Sequence, residues 1–269
     1  MLTSQVSKGA SRVRIPPSPQ GAADIRGVNT TDVAWAAGVY DGEGSASTYL
    51  PKRRTSRARQ MAVYQAGEGG PPPLLRRFQA IVGGVGLIHG PSRGYLYQWH
   101  TKRHGVVDEV SDLLWPWLSE GKRSQLRRAA SEVGRAAPAA ADASWSDDEL
   151  AAWAAGFFDG EGSIGVYGDS RRPHVSMSLP QASDAGAPDT LARFRLAVGA
   201  GEIYGPRSVG SPWSKLPQYR WQLARFDEIE RVVALLRPYA GVVKLAQMDT
   251  CVAHVREARG RRGVIAPVR

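Results

Sequence analysis

An internal repeat constrains the fold of this 269-residue chain more than any other feature. Residues 35–45 read WAAGVYDGEGS, and residues 153–163 repeat nine of those eleven positions at an offset of 118. Weaker matches follow in the same order at offsets between 115 and 122, among them Lys122 with Lys244. An ordered self-similarity of this length indicates two copies of one folding unit.

The repeat divides the chain into five segments. The first of them contains three prolines and no apolar period, so we expect it to be disordered. An alanine-rich stretch with one proline indicates a linker between the copies. The predicted segments are a disordered extension at 1–28, a first unit at 29–135, a linker at 136–145, a second unit at 146–260 and a tail at 261–269.

Each copy has the same predicted order of elements: a helix, two strands, a helix, two strands and then further helices. Asp32 can cap the first helix, and Ser146 with Glu149 can form a capping box at the equivalent helix of the second copy. The predicted class is therefore α+β. The predicted strands are at 45–50, 58–65, 85–89 and 95–101 in the first copy, and at 163–167, 174–181, 202–204 and 218–223 in the second.

Composition narrows the classes of partner. Lys and Arg number 35 against 25 Asp and Glu, a net charge of +10, of which residues 29–136 carry +6 and residues 137–269 only +1. A basic chain favours a polyanionic partner such as nucleic acid. The single cysteine, Cys251, excludes a disulfide framework and a cysteine-based zinc module. No stretch approaches the run of about 20 apolar residues that a membrane span needs.

Small residues recur along one face of the first helix of each copy. Ala34, Gly38 and Gly42 lie at i, i+4 and i+8, and therefore share a face. Small residues at this spacing allow two helix backbones to approach closely, so we predict that the two helices pack in parallel about a pseudo-twofold axis. A glycine that only ends a helix would explain one position per copy but not three. The equivalent positions of the second copy are Ala152, Gly156 and Gly160.

Parallel packing would bring Glu43 and Glu161 together at the C-terminal ends of these helices. Negative charge is unfavourable there because of the helix dipole, and two adjacent carboxylates repel each other and raise at least one pKa. A divalent cation would remove the conflict, and paired carboxylates beside a basic surface suit metal-assisted phosphodiester cleavage. Two solvated glutamates are the alternative, but their recurrence in an identical frame favours the metal.

Residues 36–44 (AAGVYDGEG) and 154–162 (AAGFFDGEG) resemble the nine-residue signature of LAGLIDADG homing endonucleases. Two copies in one chain resemble the monomeric branch of that family, and the resemblance extends over about residues 30–259. It implies an αββαββα unit per copy and two four-stranded antiparallel sheets that form a DNA-binding saddle. It also implies Mg²⁺-dependent cleavage of both strands across the minor groove. Alanine replaces the leading leucine of the signature in both copies.

The resemblance also assigns residues to the site. The metal-binding acid of the family is the eighth position of the signature, here Glu43 and Glu161, and we add the neighbouring Gly42 and Gly160 to the predicted metal set. Lys122 and Lys244 match a lysine beside the attacking water, although a solvated lysine near a helix start is an equal alternative. Gln65 and Gln181 end strands near the place where the family has a polar residue, although a turn contact would also explain them.

Basic residues crowd the tip of the first predicted hairpin. Such runs are usually solvated surface, but a hairpin that projects from a saddle would reach DNA phosphates and groove edges. The predicted DNA-binding residues are Lys52, Arg53, Arg54, Arg57 and Arg59, with Arg171 and Arg172 at the matching place of the second copy.

The resulting expectation is a site-specific endonuclease that cuts a long, asymmetric double-stranded DNA site with Mg²⁺. The alternatives are an RNA maturase that assists splicing of a host intron, with intron RNA as partner, and a non-cleaving DNA-binding regulator of the same fold. We expect a monomer without a membrane partner. We also expect it in the cytoplasm with the nucleoid or in an organelle, since no targeting signal is evident.

The beginning of the chain suggests a gene context. Residues 12–16, RVRIP, can be encoded by CGG-GTT-CGA-ATC-CC, the T-arm consensus of a tRNA gene. We therefore expect the reading frame to begin inside a tRNA gene, with the residues before about 28 not selected to fold. An ordinary basic tail that helps to hold DNA is the alternative, and the codons of the gene would separate the two.

Overall fold

Both copies of the repeat fold into the predicted succession of elements. The structure, a computed structural model, describes residues 29–138, 144–169, 172–207 and 216–264. The predicted disorder of residues 1–28 and the tRNA-gene hypothesis concern residues outside these ranges.

The first unit contains four helices and four strands, with one 3-10 turn before its last helix. Its elements are α1 (Thr30–Glu43), β1 (Gly44–Tyr49), β2 (Ala58–Ala66), α2 (Pro73–Ile81), β3 (Leu87–Ser92), β4 (Leu96–Thr101), α3 (His104–Leu114), the 3-10 turn (Trp115–Trp117) and α4 (Glu120–Ser131).

The second unit repeats this order, and its described residues include no 3-10 turn. Its elements are α5 (Asp147–Glu161), β5 (Ser163–Tyr167), β6 (His174–Ala182), α6 (Asp189–Val198), β7 (Glu202–Arg207), β8 (Gln218–Leu223), α7 (Phe226–Leu236) and α8 (Val242–Val264).

The strands form two four-stranded antiparallel sheets with equivalent strand orders, β1-β2-β4-β3 and β5-β6-β8-β7. The predicted α+β class is confirmed. Side chains alternate between the faces of a strand, and one face of each sheet is apolar and packs under the helices, as Met61 and Trp99 do in the first sheet. The opposite face of the first sheet carries polar side chains such as Gln60 and Gln98.

The core of the molecule is continuous through both units because α1 and α5 lie at its centre. Nine successive residues of each helix are buried, 33–41 in α1 and 151–159 in α5. Trp35 and Phe157 are among the fully buried side chains, as expected for residues off the small-residue face. A helix that is buried on all sides packs against other elements in every direction, so α1 and α5 join the cores of the two units.

The helix ends agree with the sequence in part. The capping box of Ser146 and Glu149 is confirmed. The prediction that Asp32 caps α1 is wrong, because the Asn29 side chain accepts the backbone N–H of Thr31 and Asp32 lies in the first turn. α8 continues to Val264, so the predicted boundary at 260 falls within a helix. None of the helices in the described ranges could span a membrane.

Candidate active site

The two central helices are in direct main-chain contact. A methyl group added to Gly38 would lie 2.1 Å from the carbonyl oxygen of Trp153, and one added to Gly156 would lie 2.0 Å from the carbonyl oxygen of Trp35. Both distances are far below van der Waals contact, so only glycine allows this approach. The contacts are reciprocal, which confirms the predicted parallel packing about a pseudo-twofold axis.

This packing brings the two motif acids together. A Cβ atom on Gly42 would lie 2.7 Å from Cγ of Glu161, and one on Gly160 would lie 3.0 Å from Cγ of Glu43. Each glutamate therefore crosses over the glycine of the opposite motif. Gly42 and Gly160 serve first as the space through which the acids pass, and their carbonyl groups lie in the last helical turn, where carbonyls lack intrahelical partners.

The electrostatics of the pair match the expected conflict between two acids. Burial and the charge of Glu161 raise the pKa of Glu43 to about 7, against a weaker opposite effect of the nearby lysines. Burial also raises the pKa of Glu161. The pair therefore holds negative charge poorly without a compensating cation.

Two lysines provide positive charge beside the acids. The Lys122 ammonium donates a hydrogen bond to the carbonyl of Gly44, and Lys244 Nζ donates to the carbonyl of Gly162 at 2.6 Å. Burial lowers the pKa of both lysines, and nearby carboxylates act in the opposite direction. The predicted lysines thus lie at equivalent places, each at the end of the motif helix of its own unit.

The two predicted glutamines behave differently. The Gln181 side chain hydrogen-bonds to Glu161. Gln65 Oε1 is buried and has no hydrogen-bond partner in the part of the chain that the structure describes. A polar cleft of about 920 Å³ opens beside Glu161 and Gln181. Its lining also includes Gly42, Ser119, Lys122, Gln125, Arg128 and Gln218.

The basic hairpin is confirmed as an exposed feature with one exception. Lys52, Arg53 and Arg54 are exposed in the turn between β1 and β2, and Arg57 is exposed beside them. The prediction that Arg59 belongs to this surface is wrong. It lies inside β2.

Arg59 is a structural residue of the first unit. It is only 4% exposed, and its guanidinium donates a hydrogen bond to the carboxylate of Asp108 in α3. A guanidinium held in this way cannot reach a ligand above the opposite face of the sheet. In the second unit Arg172 is exposed in the matching hairpin, whereas Arg171 lies outside the described residues.

Comparison with known proteins identifies the fold. No family profile and no curated protein sequence matches this chain. Among solved structures, the LAGLIDADG homing endonuclease I-GzeII, in complex with its DNA target, matches with a TM-score of 0.58 and 15% identity over 87% of this chain and 92% of that chain. This chain has the LAGLIDADG homing-endonuclease fold. It has the single-chain form with two motifs.

Other endonucleases with this fold match comparably. The LAGLIDADG meganuclease I-AabMI, bound to uncleaved DNA, gives a TM-score of 0.61 at 13% identity over 87% of this chain and 92% of that chain. I-SmaMI, bound to cleaved DNA, gives 0.55 at 14% identity over 85% and 90%. The resemblance stated from the motif is confirmed at the level of the fold.

The donor set at the centre of this LAGLIDADG fold suits a hard cation. Among the described residues, no group of three or more His, Cys, Asp or Glu side chains could hold a metal ion. The available ligands are the carboxylates of Glu43 and Glu161 and the carbonyl oxygens at the helix ends. Such a set fits Mg²⁺, which takes one or two carboxylates and keeps several waters.

Sequence reasoning missed a second pair of acids in the same motifs. Asp41 and Asp159 are buried and lie two residues before the motif glutamates. Trp153 Nε1 donates to Asp41 Oδ2, and Trp35 Nε1 donates to Asp159 Oδ2, both at 2.8 Å. The recurrence of aspartate and tryptophan in both copies was the available signal. It does not reveal that the tryptophan of each unit binds the aspartate of the other unit.

Sequence reasoning also missed the polar faces of the two sheets. Strand alternation, together with the buried positions, assigns these residues to the face away from the helices. His89 and His100 are stacked there with their ring centroids 4.8 Å apart. The polar residues of this face include Gln60, Tyr64, Gln98 and Lys102 in the first sheet and Ser176, Tyr204, Arg220 and Gln222 in the second.

Proposed function

We propose that this protein is a site-specific endonuclease that cuts both strands of a long, asymmetric DNA site with Mg²⁺. The observation that carries the proposal is the meeting of Glu43 and Glu161 at the ends of two parallel helices, beside two half-buried lysines. Three endonucleases of the same fold have structures in complex with DNA. That likeness supports the proposal through the fold alone.

Glu43 and Glu161, with the carbonyl oxygens of Gly42 and Gly160, would hold the divalent cation. When bound there, such an ion polarises a phosphodiester and lowers the pKa of a water molecule. The two carboxylates restrict where the phosphates of the two strands can lie. Lys122 and Lys244 place positive charge within the half-buried site, where charge that develops on a phosphate is stabilised more strongly than in water.

The sheets and hairpins would hold the duplex. The exposed cations between β1 and β2 and at Arg172 are suited to phosphates, which carry most of the affinity and none of the sequence information. The amide, hydroxyl and imidazole groups on the sheet faces are donors and acceptors of the kind that read base edges. Their different identities in the two sheets support an asymmetric site.

A selection experiment followed by cleavage tests this proposal. Duplexes from a randomised library would be selected for binding in Ca²⁺, and the selected DNA would then be incubated with Mg²⁺. We expect cleavage of both strands by the wild type. We expect no double-strand cleavage by Glu43→Gln or Glu161→Gln, with binding largely retained, because the amide keeps the shape but cannot neutralise the cation.

Glu257→Gln is the matched control, since Glu257 is an exposed residue of α8 far from the motif acids in sequence. It should cleave like the wild type. Cleavage by the motif variants at the wild-type rate would contradict the site assignment. A wild type that binds selected DNA but leaves both strands intact in Mg²⁺ would contradict the endonuclease proposal and favour a regulator or a maturase.

A further inference from the structure

The helices that carry the two lysines each begin at a contact with the opposite unit. Lys244 lies in the first turn of α8, three residues after Gly241, and Lys122 lies in the first turn of α4, three residues after Ser119. Both helix starts are bound by a buried aspartate of their own unit. That aspartate is in turn bound by a tryptophan of the other unit.

The first of these contacts joins α1 and α2 of the first unit to the start of α8. The backbone N–H of Gly241 and the indole N–H of Trp35 both donate to Asp159 Oδ2, at 2.6 Å and 2.8 Å. The Arg77 guanidinium lies 3.9 Å from the Trp35 ring centroid, and its Nη1 donates to the Tyr239 carbonyl at 2.6 Å. Tyr239 belongs to the turn that leads into α8.

The second contact is its pseudo-twofold equivalent. Asp41 accepts hydrogen bonds from the backbone N–H of Ser119 at 3.0 Å, from its hydroxyl at 2.6 Å and from the Trp153 indole at 2.8 Å. The Arg193 guanidinium lies 5.0 Å from the Trp153 ring centroid, and its Nη1 donates to the Trp117 carbonyl at 3.2 Å. Trp117 lies in the turn that leads into α4.

These donors are required because the aspartates are buried. Asp41 is 3% exposed and Asp159 is 6% exposed, so these donors replace the hydrogen bonds that water would otherwise make to the two carboxylates. A buried carboxylate that loses one donor keeps the cost of leaving water without the full compensation. The most direct relaxation is movement of its remaining partner, which is the helix start.

We infer that each lysine is positioned by the opposite unit. Trp35 and Arg77 are positioning residues for Lys244. Trp153 and Arg193 are positioning residues for Lys122. This crossing, in which residues of one unit hold the helix start of the other, is argued from hydrogen bonds alone. Only its effect on DNA cleavage rests on the function proposed above.

Hydrogen exchange on the full-length protein tests the crossing without any need for activity. Trp35→Phe keeps a ring in place but removes the donor to Asp159. We expect amide exchange at residues 241–245 to become about tenfold faster while that at 119–123 stays unchanged. Trp153→Phe should show the reverse.

Strand-resolved cleavage tests the consequence for the lysines. In Trp35→Phe, cleavage of one strand should slow about tenfold, so that supercoiled plasmid accumulates as nicked circle with the nick always in the other strand. In Trp153→Phe, the slow and fast strands should be exchanged. A variant that is only less stable would slow both strands together.

Trp99→Phe is the matched control. Trp99 is equally buried, and its indole donates to the Val85 carbonyl within the first unit at 2.9 Å. This variant should change neither the strand ratio nor the difference between the two helix starts. Equal exchange at both helix starts in Trp35→Phe would overturn the inference. The same slow strand in Trp35→Phe and Trp153→Phe would also overturn it. If the wild type did not cut DNA, the endonuclease proposal would fail, while the exchange experiment would still decide the crossing.

Discussion

At the scale of single residues, the site depends on glycine positions, where the chain has no Cβ atom. Gly38 and Gly156 leave room for a main-chain carbonyl, and Gly42 and Gly160 leave room for a glutamate side chain. A carbonyl cannot move without its helix, whereas a side chain can change rotamer. The first pair should therefore control stability, and the second should control the geometry of the acids.

Gly38→Ala should lower the free energy of unfolding by about 3 kcal/mol, because its methyl group would meet the Trp153 carbonyl oxygen at 2.1 Å. Gly105→Ala in α3 is the control, because nothing lies within 4 Å of its Cβ position. That variant should be neutral or more stable by up to about 1 kcal/mol. Urea unfolding measures both, and equal effects would argue against the main-chain contact.

The raised pKa of Glu43 predicts that stability depends on pH in the metal-free protein. The pKa is about 7 in the folded state against 4.5 as the ordinary value, so its stabilising contribution is present at low pH and is lost as the pH rises through 7. Thermal unfolding with a chelator should therefore show a fall in melting temperature between pH 5.5 and pH 8.5. Glu43→Gln should reduce that fall, and an unchanged pH profile in this variant would contradict the assignment.

The sequence predicted the acids but not the contacts that hold them. Glu43, Glu161 and the small-residue stripe could be found because helical spacing is local and because two copies confirm each other. Arg59 was assigned wrongly because its partner, Asp108, is 49 residues away and belongs to a different element. A basic run shows where cations are in the chain, but strand alternation decides which of them point into the core.

At the scale of elements, the hairpin between β1 and β2 separates two kinds of cation. The exposed residues Lys52, Arg53 and Arg54 lie in the turn, and the buried Arg59 lies in the strand that follows. Removal of the exposed group should change binding to DNA, whereas removal of Arg59 should change the stability of the fold.

The triple variant K52A/R53A/R54A should bind DNA with a smaller salt dependence. The slope of log Kd against log salt concentration should decrease by about 0.9 for each phosphate contact that is lost. Fluorescence anisotropy across a salt series measures the slope. Arg59→Ala should leave the slope unchanged and lower the unfolding free energy by about 1–3 kcal/mol, because Asp108 loses its buried partner.

A second triple variant controls for net charge. Arg231 in α7, Arg237 directly after α7 and Arg256 in α8 are exposed residues on the helical side of the second unit. Their replacement by alanine removes the same charge as the hairpin variant. An equal decrease in slope in both triple variants would show that net charge, rather than the hairpin, determines the salt dependence.

At the scale of the whole molecule, one chain supplies both halves of the central interface. The repeat made this architecture predictable, because two copies of one unit with a small-residue stripe leave a single plausible way to pack. The order of strands within each sheet did not follow from the repeat. It depends on long-range pairing of β2 with β4 and β6 with β8, for which the sequence carries only weak local signals.

The two halves differ in charge and in hairpin sequence, so we predict a monomer that binds a non-palindromic site. Sedimentation velocity should give one protein chain both free and bound to one duplex. The sequences selected from the random library should lack twofold symmetry. An obligate dimer, or a palindromic consensus, would contradict this prediction.

The contact between the central helices has a consequence for how chains of this shape diverge. Where a glycine of one helix meets a carbonyl oxygen of the other, the contact is made by main-chain atoms. It needs only that the glycine has no Cβ atom. Such a surface places almost no constraint on the identity of the neighbouring residues. Proteins built around it can therefore change most of their sequence and still fold in the same way. This explains how the fold is shared at 13–15% identity although no curated protein sequence matches.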